Sequence, residues 1–391
     1  MIQRDNIYKN SLIDALKGIR KSMVDLAPNV KSTYLYFEKT LLPPIGSNSY
    51  EKNYMMPFLI LVSNPCSHIL KCGGCTMCGY SNLASFKHKV SGDKVYQQFK
   101  RGLDIIKKIP RHEMIAVGTA GSFLDPNEIP YEVQAKIIKE IASSDDIFYM
   151  NIEARAEYIT QESLRNIIQV VDDPYKLSIG VGLESSNDLI RELCVNKCMS
   201  TQLFTYAIKL LKKYNISPTV YVTIGKPFIN DWTNIIDAIE SIKFAFREGA
   251  DRVVLLRLGI QPNSLIEWLY RHNLYKPIEI WSVIEVLKKL PDKFRKDVLI
   301  ANPRLPKHLE IEECQCTQTA TELLNEYKGT LDIEYIEAAT MISCPHKEEW
   351  YRKLEKEADI NRSVETQVLK GYNHWLEVWK NEHGKILQRK I

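Results

Sequence analysis

The sequence contains no long apolar run and no strong excess of either charge. No stretch approaches the roughly 20 apolar residues of a membrane-spanning helix, although hydrophobic residues make up an ordinary 45% of the chain. The 52 basic and 48 acidic residues leave a net charge of +4. The pI of 8.4 lies below the value of about 9 that is typical of strongly basic nucleic-acid-binding domains. These features argue against a membrane protein and against nucleic-acid binding by charge alone.

Signals for export and for disorder are also missing. Residues 1–13 show no apolar core of a signal peptide, and the chain has no low-complexity segment and no internal sequence repeat. We therefore expect a cytoplasmic protein, in a compartment that keeps thiols reduced. There the nine cysteines favour metal binding or simple burial over disulfide bonds.

Six short apolar runs alternate with amphipathic helical segments. The runs are rich in Val, Ile and Tyr without strict alternation, which is typical of parallel strands buried on both faces. Six successive β-α units predict an α/β fold with a parallel sheet, either doubly wound and open or curled into a full or partial barrel. The runs span residues 58–62, 114–118, 147–152, 177–183, 219–224 and 252–258.

Polar side chains recur where the predicted strands end. Reactive groups belong at the carboxyl ends of the strands in both arrangements of the sheet. Any one of these residues alone would be an ordinary cap or ion-pair partner, but their repetition predicts a functional site at this edge. They include Ser122, Glu153, Arg155, Glu184 and Lys226.

Four cysteines follow the first predicted strand. Cys72, Cys75 and Cys78 form a compact set, and a longer spacing joins Cys66 to the last two and leaves Cys72 spare. Glycines at positions 73 and 74 allow the backbone to fold closely around a metal centre. The residues alone suit either an iron–sulfur cluster or a tetrahedral zinc ion.

This region resembles the radical S-adenosylmethionine (radical SAM) enzymes. Within them it is similar to the branch that contains the elongator catalytic subunit and the radical SAM subunit of archaeosine synthase. The resemblance runs from about residue 58 to 290 and rests on motifs in the family's order. They are Gly-Cys-Thr-Met-Cys-Gly-Tyr at 74–80, Gly-Ser-Phe-Leu-Asp at 121–125, Glu-Ile-Pro at 128–130, Glu-Ala-Arg-Ala-Glu-Tyr-Ile at 153–159, Gly-Leu-Glu at 182–184 and Lys-Pro-Phe at 226–228.

The resemblance implies a (β/α)6 partial barrel that binds a [4Fe–4S] cluster and S-adenosylmethionine. It makes Cys66, Cys75 and Cys78 the cluster ligands and leaves Cys72 outside the family pattern. An electron from a donor such as ferredoxin or flavodoxin would cleave S-adenosylmethionine to a 5′-deoxyadenosyl radical, which abstracts hydrogen from a substrate. The residues expected around the cofactor are Met77, Tyr80, Gly121, Ser122, Glu153, Arg155, Glu184, Arg191 and Lys226.

A second group of potential ligands lies near the C-terminus. Cys314, Cys316, Cys344 and His346 supply four ligands of the types that structural zinc prefers. A second iron–sulfur cluster and isolated, partly buried thiols are the alternatives. The predicted organisation is an N-terminal extension over 1–55, the barrel over 56–290 and a C-terminal region over 291–391 that carries this site.

The function implied by the resemblance is an archaeosine-synthase-like lyase. Its substrate would be a lysine-modified deazaguanine base in tRNA, in which radical cleavage of a carbon–nitrogen bond leaves an amidine. One alternative is radical SAM modification of a peptide or a small-molecule natural product. The other is a non-catalytic, zinc-stabilised RNA-binding or scaffold protein. No membrane partner is expected.

Overall fold

The computed structural model of the chain describes residues 2–25, 28, 31, 34–40, 54–109, 113–301, 314–360 and 362–388. These residues form eight strands in one sheet and the helices that surround it. The strands are β1 (Tyr34–Thr40), β2 (Tyr54–Ile60), β3 (Met114–Gly118), β4 (Tyr149–Ala154), β5 (Leu177–Glu184), β6 (Ser217–Ile224), β7 (Arg252–Arg257) and β8 (Val298–Ala301).

The strand order follows the chain from β1 to β8. β1 runs antiparallel to β2, and each later neighbouring pair is parallel. A doubly wound sheet reverses its strand order at a switch point, and the described strands show no such reversal. Right-handed crossovers that advance in one direction put their helices on one face, so the sheet curls. The α/β class and the partial barrel are thereby confirmed.

Helices connect the strands and extend beyond them at both ends of the chain. Ser91, Thr160, Ser200 and Asn230 cap four of them by accepting a backbone N–H with their side chains. The helices are α1 (Ile2–Ile19), α2 (Ser67–Cys72), α3 (Gly92–Ile106), α4 (Tyr131–Ala142), α5 (Gln161–Ile168), α6 (Thr201–Lys213), α7 (Asp231–Glu248), α8 (Leu265–Arg271), α9 (Ile280–Lys289), α10 (Asp292–Arg295), α11 (Gln315–Thr330), α12 (Ile333–Met341), α13 (Pro345–Asp359) and α14 (Val364–Gln388).

The main hydrophobic core lies between the sheet and its helices. All five residues of β3 are buried, as expected for a strand covered on both faces. One face of α3 packs on this core, because Val95, Phe99 and Leu103 are all buried in it. Burial of such side chains stabilises the fold by about 1.5–3 kcal/mol each.

Two strands lie outside the six predicted ones. The aromatic-rich run that begins at Tyr34 forms β1 on the edge of the sheet. β8 pairs in parallel with β7 and lies beyond residue 290, the predicted end of the barrel. Its four residues are too few for an apolar run to stand out in the sequence, and they become a strand because β7 offers an edge to pair with.

The N- and C-terminal helices pack together against the barrel. Leu16 of α1 and Trp375 of α14 belong to one buried cluster with Leu193 and with Leu269 of α8. The last helix supplies one apolar face to this cluster, since Val368, Tyr372 and Trp375 are fully buried. No helix among the described residues is both long enough and apolar enough to span a membrane.

Candidate active site

The loop after β2 brings three cysteines to the carboxyl edge of the parallel strands. Cys66 precedes α2 as its N-terminal cap, and α2 ends at Gly73 in the left-handed conformation (φ 74°). Gly74 also has a positive φ of 81°. These two turns, which glycine adopts without strain, send the chain back toward Cys66. Cys75 and Cys78 then follow on the returning segment.

The three predicted cluster ligands share one electrostatic environment. The Cys78 thiol interacts with the thiols of both Cys66 and Cys75, and the Arg155 guanidinium acts on the latter two. One Nη of Arg155 lies 4.0 Å from the Sγ of Cys75. Burial raises the pKa of Cys66 to about 12, with a further increase from Glu128 and an opposing effect of Arg155. A bound cation would favour the thiolates at such a site.

Cationic and anionic groups surround these thiols. Arg155 donates to the carboxylate of Glu157 over 2.5 Å and to the carbonyl oxygen of Lys197 over 2.7 Å. Lys197 forms a buried ion pair of 2.8 Å with Glu184. Desolvation lowers the pKa of Lys197, but Glu184 and Cys75 more than offset this and raise it. Two positive charges therefore lie beside the cysteines, and Lys197 was not among the predicted residues.

Gly121 lies directly against Cys66. A Cβ at position 121 would be 2.7 Å from the Sγ of Cys66, so any side chain there would collide with the thiol. The amide of Ser122 donates to Glu128 over 2.9 Å, and Thr119 donates to the other oxygen of that carboxylate over 2.8 Å. Burial raises the pKa of Glu128 to about 8 despite these hydrogen bonds. The predicted Gly121–Ser122 segment is thus a close, polar wall of the cysteine site.

Three further predicted residues lie around the strand ends. Met77 packs against Leu258, Ile260 and Ile266 in a small apolar cluster. Glu153 accepts a hydrogen bond from the Tyr221 hydroxyl over 2.7 Å. Tyr80 is 46% exposed. Their contacts with a cofactor stay a prediction.

Arg191 and Lys226 have buried partners within the protein. Arg191 donates to the carbonyl oxygens of Met199 (2.8 Å) and Ser185 (3.0 Å) and also pairs with Asp188. Lys226 forms an ion pair of 2.8 Å with Asp237, in which both side chains are buried. These contacts explain why two cations lie in the interior. The described geometry does not bring either one to the cysteines, and their predicted cofactor contacts remain untested.

Cys72 belongs to a different group of side chains. The ligand atoms of Cys72, His68 and Cys198 all lie within 4.8 Å of one another. The structure thus separates Cys72 from the thiol pairings of Cys66, Cys75 and Cys78. The choice of the longer cysteine spacing for the cluster stays a prediction.

The cysteine loop is held from two sides by residues that sequence reasoning did not single out. Arg20 donates to the carbonyl oxygen of Cys75 over 2.7 Å. On the other side, the side-chain amide of Asn196 donates to the carbonyl oxygens of Cys72 and Gly74 over 2.9 and 2.7 Å. Neither contact has a sequence signal, because both residues lie far from the loop in the chain and belong to no motif.

The C-terminal ligand set also comes together. The sulfurs of Cys314, Cys316 and Cys344 lie within 4.8 Å of one another, and the Sγ of Cys314 is 3.5 Å from Nδ1 of His346. The other ring nitrogen of His346 is 3.1 Å from a carboxylate oxygen of Glu279. Cys314 and Cys344 occupy the N-terminal caps of α11 and α13, where the helix dipoles favour thiolates.

The pKa values at this second site also favour a thiolate. Hydrogen bonds from the Thr317 hydroxyl, and to a smaller extent from His346, lower the pKa of Cys314 to about 6. The hydrogen bond with Cys344 raises the pKa of Cys316 to about 11. A thiol of lowered pKa, Cys314, therefore lies beside one of raised pKa, Cys316, and a bound cation would favour the thiolate form of both.

Comparisons with known proteins find relatives over about three quarters of the chain. The chain is 29% identical over 307 residues to an uncharacterized protein of Methanocaldococcus jannaschii, covering 76% of this chain and 82% of that protein. It is 29% identical over 295 residues to the archaeosine synthase subunit beta of Methanosarcina acetivorans, covering 73% and 82%. The chain therefore resembles the archaeosine synthase branch of the radical SAM enzymes. No protein-family model matches it.

The radical SAM resemblance agrees with the fold and with the cysteine loop after the first parallel strand. Among solved structures, an N-terminally truncated archaeal Elp3 of Methanocaldococcus infernus is 16% identical, with a TM-score of 0.45, over 60% of this chain and 59% of that one. This score is too low to add to the assignment. The resemblance seen in the motifs is confirmed.

Proposed function

We propose that this radical SAM enzyme is an archaeosine-synthase-like lyase that acts on a lysine-modified deazaguanine base in tRNA. The catalytic part rests on Cys66 and Cys75, which both interact with the Arg155 guanidinium and with the Cys78 thiol. The substrate part is supported by a relative named archaeosine synthase subunit beta, which matches 73% of the chain. The proposal also includes an electron donor such as ferredoxin or flavodoxin, which would supply the electron that cleaves S-adenosylmethionine.

The residues at the cysteine site fit a [4Fe–4S] cluster. Such clusters are held by cysteine thiolates, and three ligands leave one iron for a further group. Arg155 and Lys197 supply positive charge beside the thiols, which stabilises thiolates and the net negative charge of a thiolate-bound cluster. Gly121 leaves the space against Cys66 that a side chain would fill. Cys72, grouped with His68 and Cys198, is not needed as a ligand.

S-adenosylmethionine bound at the fourth iron would supply the 5′-deoxyadenosyl radical that abstracts a hydrogen atom from the substrate. The role of the chain's own residues would be to bind and orient this cofactor. Glu184 offers a buried carboxylate at the end of β5, at a residue with a left-handed φ of 66°. Backbone strain of this kind persists where the surroundings enforce it, often at ligand sites. We assign Glu184 and Glu153 to the cofactor's polar groups.

We also propose that the C-terminal set binds zinc. Three cysteines and one histidine form a complete tetrahedral ligand set for a structural zinc ion. Glu279 holds the second nitrogen of His346, as outer carboxylates commonly do for zinc-bound histidines. Cys316 and Cys344 come from the starts of two different helices. The ion would therefore tie α11 to α13.

The experiment is anaerobic reconstitution followed by turnover. The protein should bind about four irons at the cysteine site and release 5′-deoxyadenosine when given dithionite and S-adenosylmethionine. The Cys75→Ala variant should lose both the bound iron and the release of 5′-deoxyadenosine. The control variant Cys194→Ala should keep both, because this buried thiol packs in the cluster of α1 and α14. Retained iron in Cys75→Ala would contradict the ligand assignment.

The substrate is tested separately with tRNA that carries the lysine-modified base. The expected result is conversion of that base to an amidine. Mass spectrometry of the nucleosides measures this conversion. Binding of the tRNA should weaken with added salt, because phosphate contacts release counterions. Release of 5′-deoxyadenosine without conversion of the tRNA would leave the radical chemistry standing and would favour a peptide or small-molecule substrate.

A further inference from the structure

His68, Cys72 and Cys198 form a third group of metal-binding side chains, separate from the two groups described above. Their ligand atoms all lie within 4.8 Å of one another. His68 and Cys72 are four residues apart on α2 and therefore share a face of that helix. Cys198 comes from the segment after the short π-helix Ile190–Cys194. Two distant parts of the chain thus deliver one imidazole and two thiols to one place.

The state of the imidazole suits a ligand. Nε2 of His68 lies 2.7 Å from the carbonyl oxygen of Asn196. A carbonyl only accepts hydrogen bonds, so Nε2 carries the proton and Nδ1 carries the lone pair. A neutral imidazole whose other nitrogen donates to a backbone carbonyl is the usual form of a metal-bound histidine.

The backbone that presents Cys198 is held in an unusual conformation. Asn196 and Cys198 have φ values of 58° and 50°, in the left-handed region. Cysteine rarely adopts this region, and strain of this kind persists only where the surroundings enforce it. Here the Asn196 side chain enforces it through its hydrogen bonds to the carbonyl oxygens of Cys72 and Gly74. The same hydrogen bonds therefore hold Cys198 beside His68 and Cys72.

We propose that His68, Cys72 and Cys198 bind one thiophilic divalent cation, with Zn²⁺ as the expected ion. Two sulfurs and one imidazole nitrogen suit zinc, and three protein ligands leave one position open. The ion would join α2, which lies between Cys66 and Cys75, to the segment that carries Lys197. Lys197 in turn pairs with Glu184. A bound ion would therefore fix the position of the cysteine loop relative to Lys197 and Glu184. This effect does not depend on the substrate of the enzyme.

The test is the metal content of the full chain, purified without oxygen and loaded with Zn²⁺. His68→Ala, Cys72→Ser and Cys198→Ser should each lose about one zinc per chain, as expected for a mononuclear site, and should keep their iron. Cys194→Ser is the matched control, since this thiol is fully buried four residues before Cys198, and it should lose neither metal. Unchanged zinc in the three variants would overturn the proposal. Loss of iron in Cys72→Ser would instead make Cys72 a cluster ligand and would also overturn it.

A second measurement uses the unmodified protein and does not depend on the folding of a variant. Alkylation followed by peptide mass spectrometry should find Cys72 and Cys198 protected in the zinc-loaded protein and labelled after a chelator removes the ion. Labelling at equal rates in both states would overturn the proposal. A disulfide between Cys72 and Cys198 in the anaerobically purified protein would overturn it as well, because the pair would then be a redox device.

Discussion

The Arg20 guanidinium donates a hydrogen bond of 2.7 Å to the backbone carbonyl oxygen of Cys75. A second amino group of the same side chain donates to the Ser81 hydroxyl over 2.6 Å. Arg20 itself is buried. The N-terminal segment thus does more than precede the barrel, because it fixes the loop that carries two of the three proposed cluster ligands.

Arg20→Ala should lower the free energy of unfolding by about 3 kcal/mol, because buried acceptors lose a charged donor and each such hydrogen bond is worth roughly 1.5–3 kcal/mol. Iron should also be lost faster to a chelator, since the loop is released. Anaerobic urea unfolding and iron retention measure the two effects. Lys21→Ala, at the exposed neighbouring position, is the control and should change stability by less than about 0.5 kcal/mol. Wild-type iron retention in Arg20→Ala would show that the loop does not depend on this contact.

Gly121→Ala should disturb the cluster ligands directly. The added Cβ would lie 2.7 Å from the Sγ of Cys66, and overpacking of this kind costs about 1–3 kcal/mol. We expect less bound iron after reconstitution and a lower unfolding midpoint. Gly329→Ala is the matched control, because a Cβ there meets nothing within 4 Å and alanine improves a helix by up to about 1 kcal/mol. Equal iron content in the two variants would count against the close packing of Gly121 on Cys66.

Lys226→Met separates a structural role from a cofactor role. The change leaves the buried Asp237 carboxylate without its cation, which typically costs about 3–5 kcal/mol. The double variant Lys226→Met/Asp237→Asn removes the orphaned charge and keeps an acceptor for the Ser185 hydroxyl, which lies 2.6 Å from Asp237. It should recover most of the lost stability in a urea titration.

The same pair of variants reports on the cofactor. If Lys226 acts only through Asp237, the stable double variant should bind S-adenosylmethionine with an affinity close to that of the wild type. An affinity at least about tenfold weaker, equivalent to about 1.4 kcal/mol, would restore Lys226 to the list of cofactor contacts that the motifs implied.

Loss of a C-terminal ligand should release zinc without affecting the iron. His346→Ala and Cys316→Ser should each remove about one zinc per chain, by the stoichiometry of a tetrahedral site. Proteolysis between α11 and α13 should become faster, because the ion no longer joins the two helices. His374→Ala is the control, at an exposed histidine on α14, and should keep its zinc. Zinc that stays bound in His346→Ala and in Cys316→Ser would point to isolated thiols instead.

Much of the barrel was predictable because its strands are buried on both faces. The run 114–118 became β3 with the predicted bounds, since continuous apolar residues between helical segments have few other folds available. β8 was missed, because four residues form no periodic pattern and depend on the edge of β7 for pairing. The choice between a doubly wound sheet and a curled one also needed the strand order, which local sequence does not encode.

The residues of the candidate site were likewise only partly predictable from the sequence. Motif positions predicted Arg155 and Glu184, which lie at the strand ends with their charges next to the cysteines. Lys197 was missed because it belongs to no motif, and only the path of the segment after the π-helix brings it to Glu184. Arg191 and Lys226 had the expected residue type at the expected edge of the sheet, but a single sequence does not show that they pair with the exposed Asp188 and the buried Asp237.

By itself, the sequence determined the chemistry that is available: four closely spaced thiols after a buried strand, an ordered series of polar strand ends and a distant set of three cysteines and a histidine. These depend on residue type and spacing, which are local properties. Only the tertiary structure placed Cys72 beside His68 and Cys198, and Cys66 and Cys75 within reach of the Arg155 charge. The physical reason is that Arg20 and Asn196, which are far apart in the chain, both bind carbonyl oxygens of the cysteine loop. Contacts between residues so distant in the chain form only when the barrel closes around them.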